Sequence, residues 1–299
     1  MDRRSFIGKG LIGVLLSAVL TAAGCRFNSG SVTTTNSVYD RVTQSGTIRA
    51  SYAVYPPYCI KDPNTGKMSG LFVDVLEEAG RRLGLKVEWT EEVGWGSIFE
   101  GLNANRDDVF GAGLWQNASR SKAAAFSNPI IFNPIMVWVR SGDTRFNEKD
   151  FESLNSPKVK ISVQDGAVED LISKSDYPLA ARVSVPQLSP WTDVLLNITS
   201  RKADLTFAEP AAVDLFLDKN PGTLTDIDPE NPIRVFPNAY AFKLGEVKLQ
   251  EMLNGALDEM IDDGTMEKLI RKYEHHPGEF YRVAKPYAIP EKASGSKSK

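Results

Sequence analysis

The segment Val109–Pro129, VFGAGLWQNASRSKAAAFSNP, carries the pattern that decides the fold of this chain. Its apolar first part, up to Leu114, has the composition of a buried strand, and a polar turn containing Arg120 follows. The planar guanidinium of arginine donates hydrogen bonds in a fork that matches the two oxygens of a carboxylate. An arginine at the end of a buried strand therefore predicts a site for a small anionic group. A solvated surface arginine near a helix start is the alternative.

Strands and helices alternate along the rest of the chain, which predicts an α/β fold with a mostly parallel sheet. The predicted strands are 48–52, 85–90, 109–114, 159–163, 183–185, 203–207, 233–236 and 240–243, with a long β-rich segment at 129–140. The predicted helices are 72–83, 97–103, one from 168, 192–201, 211–218, 247–262 and 265–273. About 240 residues are available, which is enough for two α/β lobes or one large domain.

The chemically informative residues fall near the ends of the predicted strands, where ligands bind in open α/β sheets. They are Tyr52, Tyr55, Trp95, Trp115, Arg120, Ala167, Val168 and Glu209. Because they follow strands from two separate blocks of the chain, they predict a cleft between two lobes. The aromatic residues also fit positions in the core or at its rim. Glu209, followed by Pro210, also fits a helix-start carboxylate stabilised by the helix dipole.

The first 24 residues have the features of an export signal and not of a folded element. Arg3, Arg4 and Lys9 form a basic region, and an apolar run follows at 11–23. The arginine pair resembles a twin-arginine export signal. The stretch AAGC at 22–25 resembles a lipobox, in which Cys25 becomes the lipidated first residue of the mature chain. A plain cleaved signal with an incidental cysteine is the alternative.

The mature chain is predicted to begin with a lipidated Cys25 on a tether at 25–44 and to end in a disordered tail at 286–299. The only other cysteine is Cys59, so acylation of Cys25 leaves no disulfide to form. The full chain has a formal net charge of −3; without three basic and one acidic signal residues it is 32 − 37 = −5. This modest acidity argues against a nucleic-acid partner.

Several short motifs, taken in their order along the chain, resemble those of the extracytoplasmic solute-binding proteins of family 3, the polar amino-acid receptors of ABC importers. The resemblance spans 47–281 and rests on YPPY at 55–58, GLFVD at 70–74, the 113–129 segment, 163–166, 203–209 and DGT at 263–265. It implies a two-lobed, periplasmic-binding-protein-like fold (type II), with two mixed sheets flanked by helices and joined by a two-strand hinge. With crossings near Phe132 and Pro237, lobe 1 comprises 45–132 plus 237–285 and lobe 2 comprises 133–236.

The resemblance also implies a site for a zwitterion, with Arg120 on the α-carboxylate and Glu209 on the α-ammonium. The other implied ligand-binding positions are Gly113 through its carbonyl, Ala167 and Val168 through their N–H groups, Asn117, and Tyr52, Tyr55, Trp95 and Trp115 around the ligand side chain. Three positions depart from the family pattern: Ala167 replaces Thr or Ser, Trp115 replaces a small residue, and Glu209 replaces Asp. The aromatic residues favour a bulky ligand.

The implied function is capture of an amino acid or related zwitterion and its delivery to a membrane permease. The protein is expected to be a lipid-anchored monomer in the periplasm or on the outer face of the membrane, with no cofactor and no metal. One alternative is an enzyme of the same fold, resembling cyclohexadienyl or arogenate dehydratases, with Glu209 as general acid. The sequence has no metal-ligand motif, Gly-x-Ser-x-Gly or P-loop, which argues against an enzyme. Another alternative is a sensor lobe that signals through a partner.

Overall fold

The computed structural model describes residues 37–146 and 150–283. The predicted export signal, Cys25 and the predicted tail at 286–299 lie outside the described residues. Within the described part, no helix is both long enough and apolar enough to cross a membrane.

The elements follow one another largely as the alternating pattern predicts. The strands are β1 (Thr47–Tyr52), β2 (Ile60–Lys61), β3 (Met68–Ser69), β4 (Lys86–Glu92), β5 (Val109–Trp115), β6 (Ala124–Phe126), β7 (Ile131–Arg140), β8 (Lys160–Gln164), β9 (Ala181–Val185), β10 (Leu205–Ala208), β11 (Leu224–Asp226), β12 (Arg234–Lys243) and β13 (Tyr281–Arg282). The helices are α1 (Val38–Ser45), α2 (Leu71–Arg82), α3 (Ile98–Asn103), α4 (Val168–Ser175), α5 (Thr192–Thr199), α6 (Pro210–Leu217), α7 (Val247–Asp262) and α8 (Thr265–Tyr273).

Two long antiparallel strands, β7 and β12, connect the two halves of the fold. On one side β1 pairs in parallel with β4 and β5, and on the other β8 pairs in parallel with β9 and β10. The two predicted sheets thus join into one mixed sheet of the order β4-β1-β5-β12-β7-β10-β8-β9. Phe132 lies opposite Pro237 in the β7–β12 pairing. The predicted two-lobed α/β class is confirmed.

The prediction of two separate strands at 233–236 and 240–243 was wrong, because β12 runs through both. Pro237 lies inside this strand without breaking it. Its carbonyl accepts a hydrogen bond from the Gln116 N–H (3.0 Å), and the register against β5 shifts between Ala239 and Ala241. The proline keeps its acceptor in the ladder and lacks only its donor, and the register shift lies two residues further along the strand.

The predicted tether at 25–44 is too long, since its last part forms helix α1. Ser37 and Asp40 make a capping box, in which each side chain bonds the backbone N–H of the other residue (3.1 and 3.3 Å). Val38 and Val42 are buried against the core. Because the run before α1 is polar, the sequence pattern did not indicate this short amphipathic helix.

In the half of the fold that contains β1, β4 and β5, the core lies where α2 packs on the sheet. Phe72 and Tyr240 meet edge to face with ring centroids 5.7 Å apart, and the Tyr240 hydroxyl donates to the Phe72 carbonyl (2.7 Å). Cys59 is fully buried nearby and is free of any disulfide in the described part of the chain. This packing holds β5 in place, and the turn that follows β5 carries Arg120.

Candidate functional site

A small cavity lies where the end of β5, the start of α4, the start of α6 and the loop after β1 meet. The space between its atoms is about 400 Å³, which includes space open to solvent, and about 30 Å³ can hold the centre of a water molecule. Since one water needs at least about 10–15 Å³ of such space, the cavity has room for about two. A larger ligand requires its walls to move apart.

Eight of the ten predicted ligand-binding residues line this cavity. They are Tyr55, Trp95, Gly113, Trp115, Arg120, Ala167, Val168 and Glu209. Tyr52 and Asn117 do not line it. Tyr52 packs edge to face on Trp89 (6.1 Å between centroids), and the Asn117 side chain accepts from the Arg120 backbone N–H (2.9 Å). Asn117 thus holds the turn that carries Arg120.

Six residues that line the cavity were not among those predicted from the sequence: the small or apolar Ala112 and Leu114, and the polar or aromatic Tyr58, Glu169, Trp191 and Asn238. Tyr58 ends the YPPY motif and Glu169 lies in the first turn of α4, so both had a local signal. Trp191 and Asn238 had none. They reach the cavity from the loop before α5 and from β12, through tertiary packing alone.

Arg120 lies in the turn after β5 and is a buried cation, with only 8% of its surface exposed. Its guanidinium donates to the carbonyls of Trp115 (3.0 Å) and Gly166 (3.4 Å). Burial lowers its pKa to about 10, which still leaves it charged at neutral pH. No ion pair within the described residues involves it, so the charge is held by carbonyl dipoles.

Glu209 is a buried carboxyl on the opposite wall, at the position that precedes α6. Its Oε2 accepts a hydrogen bond from the Tyr55 hydroxyl (2.8 Å). Its Oε1 is buried and, within the described chain, has no hydrogen-bond partner. Burial raises the pKa of Glu209 to about 8. An unsatisfied buried acceptor of this kind is costly unless a donor or a cation reaches it.

Glu169 is a second buried carboxyl in the same cavity. It accepts hydrogen bonds from the Gln164 backbone N–H (3.1 Å) and from the Trp191 indole N–H (3.2 Å). Burial raises its pKa to about 7, and its charge acts on both Arg120 and Glu209. The cavity therefore holds two carboxyl groups and one guanidinium.

Aromatic rings form much of the remaining wall. Tyr55 stacks on Tyr58 with centroids 5.4 Å apart, and Trp95 and Trp191 meet it edge to face at 5.9 and 5.1 Å. Trp115 stacks on Phe236 at 5.8 Å. Such rings offer π faces to a cationic or planar ligand group.

A polar network from β7 and β12 forms the floor. Asn133 donates to the Tyr58 hydroxyl (2.6 Å) and accepts from the Trp115 indole N–H (3.2 Å) and the Asn238 amide (2.9 Å). These bonds fix three of the lining side chains from the two strands that link the halves of the fold. Gly113 packs so closely that a side chain would not fit: its φ is +81°, and a Cβ there would lie 2.7 Å from the Phe72 ring.

The two halves of the fold touch across the cavity in this conformation. The Trp95 indole N–H donates to Gln164 Oε1 (3.1 Å), and the Gly96 N–H donates to Gln187 Oε1 (2.9 Å). Gly166, with φ +77°, comes so near that a Cβ on it would lie 2.8 Å from the Gly96 nitrogen. Only glycine permits this close approach of the two backbones.

Residues 35–276 match the bacterial extracellular solute-binding proteins, family 3. The chain belongs to this family. The predicted family is thus confirmed, and family membership places this solute-binding protein outside the cytoplasm. It is 27% identical over 233 residues to a probable amino-acid ABC transporter-binding protein of Haemophilus influenzae, covering 78% of this chain and 86% of that one.

Two solved structures are also similar to this solute-binding protein. The ancestral amino acid-binding protein AncCDT-1, a precursor of cyclohexadienyl dehydratase, has a TM-score of 0.70 at 25% identity, over 79% of this chain and 99% of that one. A mutant of arginine-bound ArgBP from T. maritima has a TM-score of 0.62 at 25% identity, over 74% and 99%. These relatives are named as amino-acid binders or for a bound amino acid, which points to binding more than to catalysis.

Proposed function

We propose that this protein is the receptor of an ABC importer, which captures an amino acid between its lobes and delivers it to a membrane permease. The observation that carries the proposal is the pair of buried ionisable groups on facing walls, the guanidinium of Arg120 and the carboxyl of Glu209, which takes up a negative charge when a cation reaches it. A zwitterion leaving water needs both of its charges compensated. Arg120 would bind the α-carboxylate and Glu209 the α-ammonium, with the N–H groups of Ala167 and Val168 adding to the carboxylate site.

Ligand binding and lobe closure would be one event. With lobe 1 at 45–132 plus 237–285 and lobe 2 at 133–236, Arg120 and Glu209 belong to different lobes, which move about β7 and β12. A ligand makes both charged contacts only when the lobes close, and this differential affinity is what shifts a two-state equilibrium. The cavity is too small for direct entry of an amino acid, so the same movement would admit it. A single chain contains all these parts, so the receptor would act as a monomer.

The preferred ligand is an amino acid with a cationic side chain. Arg120 and Glu209 neutralise the α-carboxylate and the α-ammonium, which leaves Glu169 without a cation inside an aromatic wall. A guanidinium or ammonium group would pair with Glu169 and lie against rings such as Trp95 and Trp191, at about 0.5–2 kcal/mol per cation–π contact. The likeness to arginine-bound ArgBP agrees with this choice.

A thermal-shift screen tests both the receptor function and the ligand class. We expect arginine and lysine to raise Tm, and arginine to bind more tightly than its neutral isostere citrulline. Glu169→Gln should cost arginine about tenfold or more in affinity and leave citrulline nearly unchanged, because a hydrogen bond to a charged group is worth about 1.5–3 kcal/mol.

The matched control for Glu169→Gln is Asp165→Asn, which changes an exposed carboxylate in the turn just before α4 and should bind like the native protein. A screen in which only glycine-sized or dicarboxylic compounds stabilise the protein would refute the ligand class. Stabilisation by no amino acid at all would refute the receptor function.

A dehydratase is the second candidate, and the pKa of Glu209 favours it. A carboxyl with a pKa of about 8 is protonated at neutral pH and has a proton to donate in an apolar pocket. The likeness to a precursor of cyclohexadienyl dehydratase supports the same candidate. Turnover of prephenate or arogenate that disappears in Glu209→Gln would establish it. Absence of turnover, combined with stabilisation by amino acids, would leave the receptor.

We also propose that the chain is exported through its twin arginines and anchored by lipid at Cys25. Cys25→Ser should release the protein from the membrane fraction of the native host, because the two or more acyl chains needed for stable anchoring would all be attached at this cysteine. The double change Arg3→Lys with Arg4→Lys should block export in the same fractionation. Membrane retention of the serine variant would refute the anchor, and normal export of the lysine variant would refute the twin-arginine route.

A further inference from the structure

A cluster of three potential metal ligands lies outside the cavity, between α6 and the segment that follows α8. One oxygen of Asp214, one oxygen of Glu279 and a ring nitrogen of His276 all lie within 4.8 Å of one another. Asp214 is half-buried, His276 is exposed and Glu279 is buried, with 3% of its surface accessible. The ligands come from two distant parts of the chain, which explains why the sequence shows no metal motif.

Glu279 has an unused carboxylate oxygen. Its Oε2 accepts a hydrogen bond from the His275 backbone N–H (2.7 Å), which fixes the carboxylate on the turn that also carries His276. Its Oε1 is buried and, among the residues the structure describes, has no hydrogen-bond partner. A buried, unsatisfied carboxylate oxygen beside a second carboxylate is unfavourable unless a shared proton or a cation joins them, and a cation can take the place of the proton. The third ligand, the imidazole of His276, is exposed and can turn toward the same point.

We propose that Asp214, His276 and Glu279 bind a first-row divalent cation of the Zn²⁺ type. One imidazole nitrogen with two carboxylate oxygens is a ligand set that Zn²⁺ accepts, at about 2.0–2.2 Å from the metal. Two ligands at such distances lie at most about 4.4 Å apart, and the three atoms here lie within 4.8 Å of one another, so small side-chain adjustments, most easily of the exposed His276, would complete the site. Solvent water supplies the remaining coordination.

The site connects the two halves of the fold. Asp214 lies on α6, the short helix that Glu209 precedes at the cavity wall. His276 and Glu279 lie just before β13, which pairs with β7 at Phe132. A cation held by both segments stabilises the conformation in which they are in contact. This step rests on the proposed receptor function: bound metal increases amino-acid affinity, and amino acid increases metal affinity by the same factor.

Metal binding is tested first, without any amino acid, by calorimetric titration of ZnCl₂ into the mature, tag-free protein. We expect one saturable site, with affinity lowered at least tenfold in His276→Ala and in Glu279→Gln. His275→Ala is the matched control, since it removes the only other histidine of the chain and keeps the backbone N–H that Glu279 accepts. Equal loss in His275→Ala, or no saturable binding by the native protein, would overturn the site.

Asp214→Asn is a second test of the site in case Glu279→Gln does not fold. Asp214 is only half-buried, so its substitution should disturb the fold less. It should also lose at least tenfold in Zn²⁺ affinity. The coupling is then measured as the Kd of arginine with and without saturating Zn²⁺, with about a tenfold decrease expected in the native protein and none in His276→Ala. Zn²⁺ binding without amino-acid binding would uphold the metal site and refute the receptor; an arginine Kd unaffected by Zn²⁺ would refute the coupling.

Discussion

Arg120→Ala is expected to remove amino-acid binding, with a loss of at least about 30-fold in affinity. Truncating one partner of a buried charge pair typically costs about 2–5 kcal/mol, and each 1.4 kcal/mol is a factor of ten. The ligand carboxylate would be left in an aromatic cavity that contains two carboxyl groups and, among the described residues that line it, no other cation. The measurement is the ligand-induced change in Tm, followed by calorimetric titration with arginine.

Arg120 also supports its own turn, so loss of binding must be separated from loss of fold. Its guanidinium donates to the carbonyls of Trp115 and Gly166, and both acceptors lose a donor in the alanine variant. Arg120→Lys keeps the charge and removes the bidentate fork, and should bind with intermediate affinity. Arg106→Ala, at an exposed arginine paired with Glu91, is the control for loss of a positive charge. A folded Arg120→Ala protein with an undiminished thermal shift would disprove the assignment.

The positions of most elements were predictable because their patterns are local. Helices α7 and α8 have the bounds that their apolar periodicity predicts, and β5 appears where the sequence has its buried run. Helix α1 was missed because its apolar stripe is only two residues, Val38 and Val42. The continuity of β12 was missed because a proline in a strand normally signals a break, and only the pairing with β7 and β5 compensates for it.

The sequence predicted the two ionisable residues on facing walls of the cavity, Arg120 and Glu209. It did not predict the second buried carboxyl, Glu169, which gives the cavity more acidic than basic groups. Arg120 and Glu209 follow strand ends, which is a signal that sequence carries. Glu169 lies in the first turn of α4, where an acidic residue is ordinary because of the helix dipole. Glu169 is unusual because it is buried and accepts a hydrogen bond from the Trp191 indole. The two residues are 22 positions apart, and no periodic sequence pattern predicts their contact. The aromatic residues already allowed a cationic ligand side chain, and the proposed preference for one rests on the burial of Glu169 in the structure.

Binding of a cationic amino acid is expected to release protons, and its affinity should rise steeply between pH 6 and pH 8. In the ligand-free cavity burial raises the pKa of Glu209 to about 8 and that of Glu169 to about 7, so both are largely protonated at pH 6. An ammonium or guanidinium group pairs with the ionised form, so each carboxyl must lose its proton on binding. Affinity changes by up to about tenfold per pH unit for each proton released, and levels off above pH 8.

Calorimetric titration with arginine in buffers of different ionisation enthalpy counts these protons directly. Native protein should release between one and two protons near pH 6.5, and Glu169→Gln should release one fewer. Glu88→Gln, at an exposed carboxylate on β4, should release as many as the native protein. An affinity that is constant between pH 6 and pH 8 would show that neither carboxyl changes its ionisation on binding.

The same raised pKa makes Glu209 a group that weakens the ligand-free fold as pH rises. Its pKa is about 8 when folded against about 4.5 in an unfolded chain, so its destabilising effect is absent below pH 4.5 and is complete above pH 8. Glu209→Gln cannot ionise and escapes this effect. We therefore expect its Tm advantage over native protein to be larger at pH 8 than at pH 5, while its affinity for arginine falls at least about 30-fold. A variant that gained stability equally at both pH values would show that the glutamine repacks the cavity without relieving a buried charge, because only ionisation of Glu209 makes the gain depend on pH.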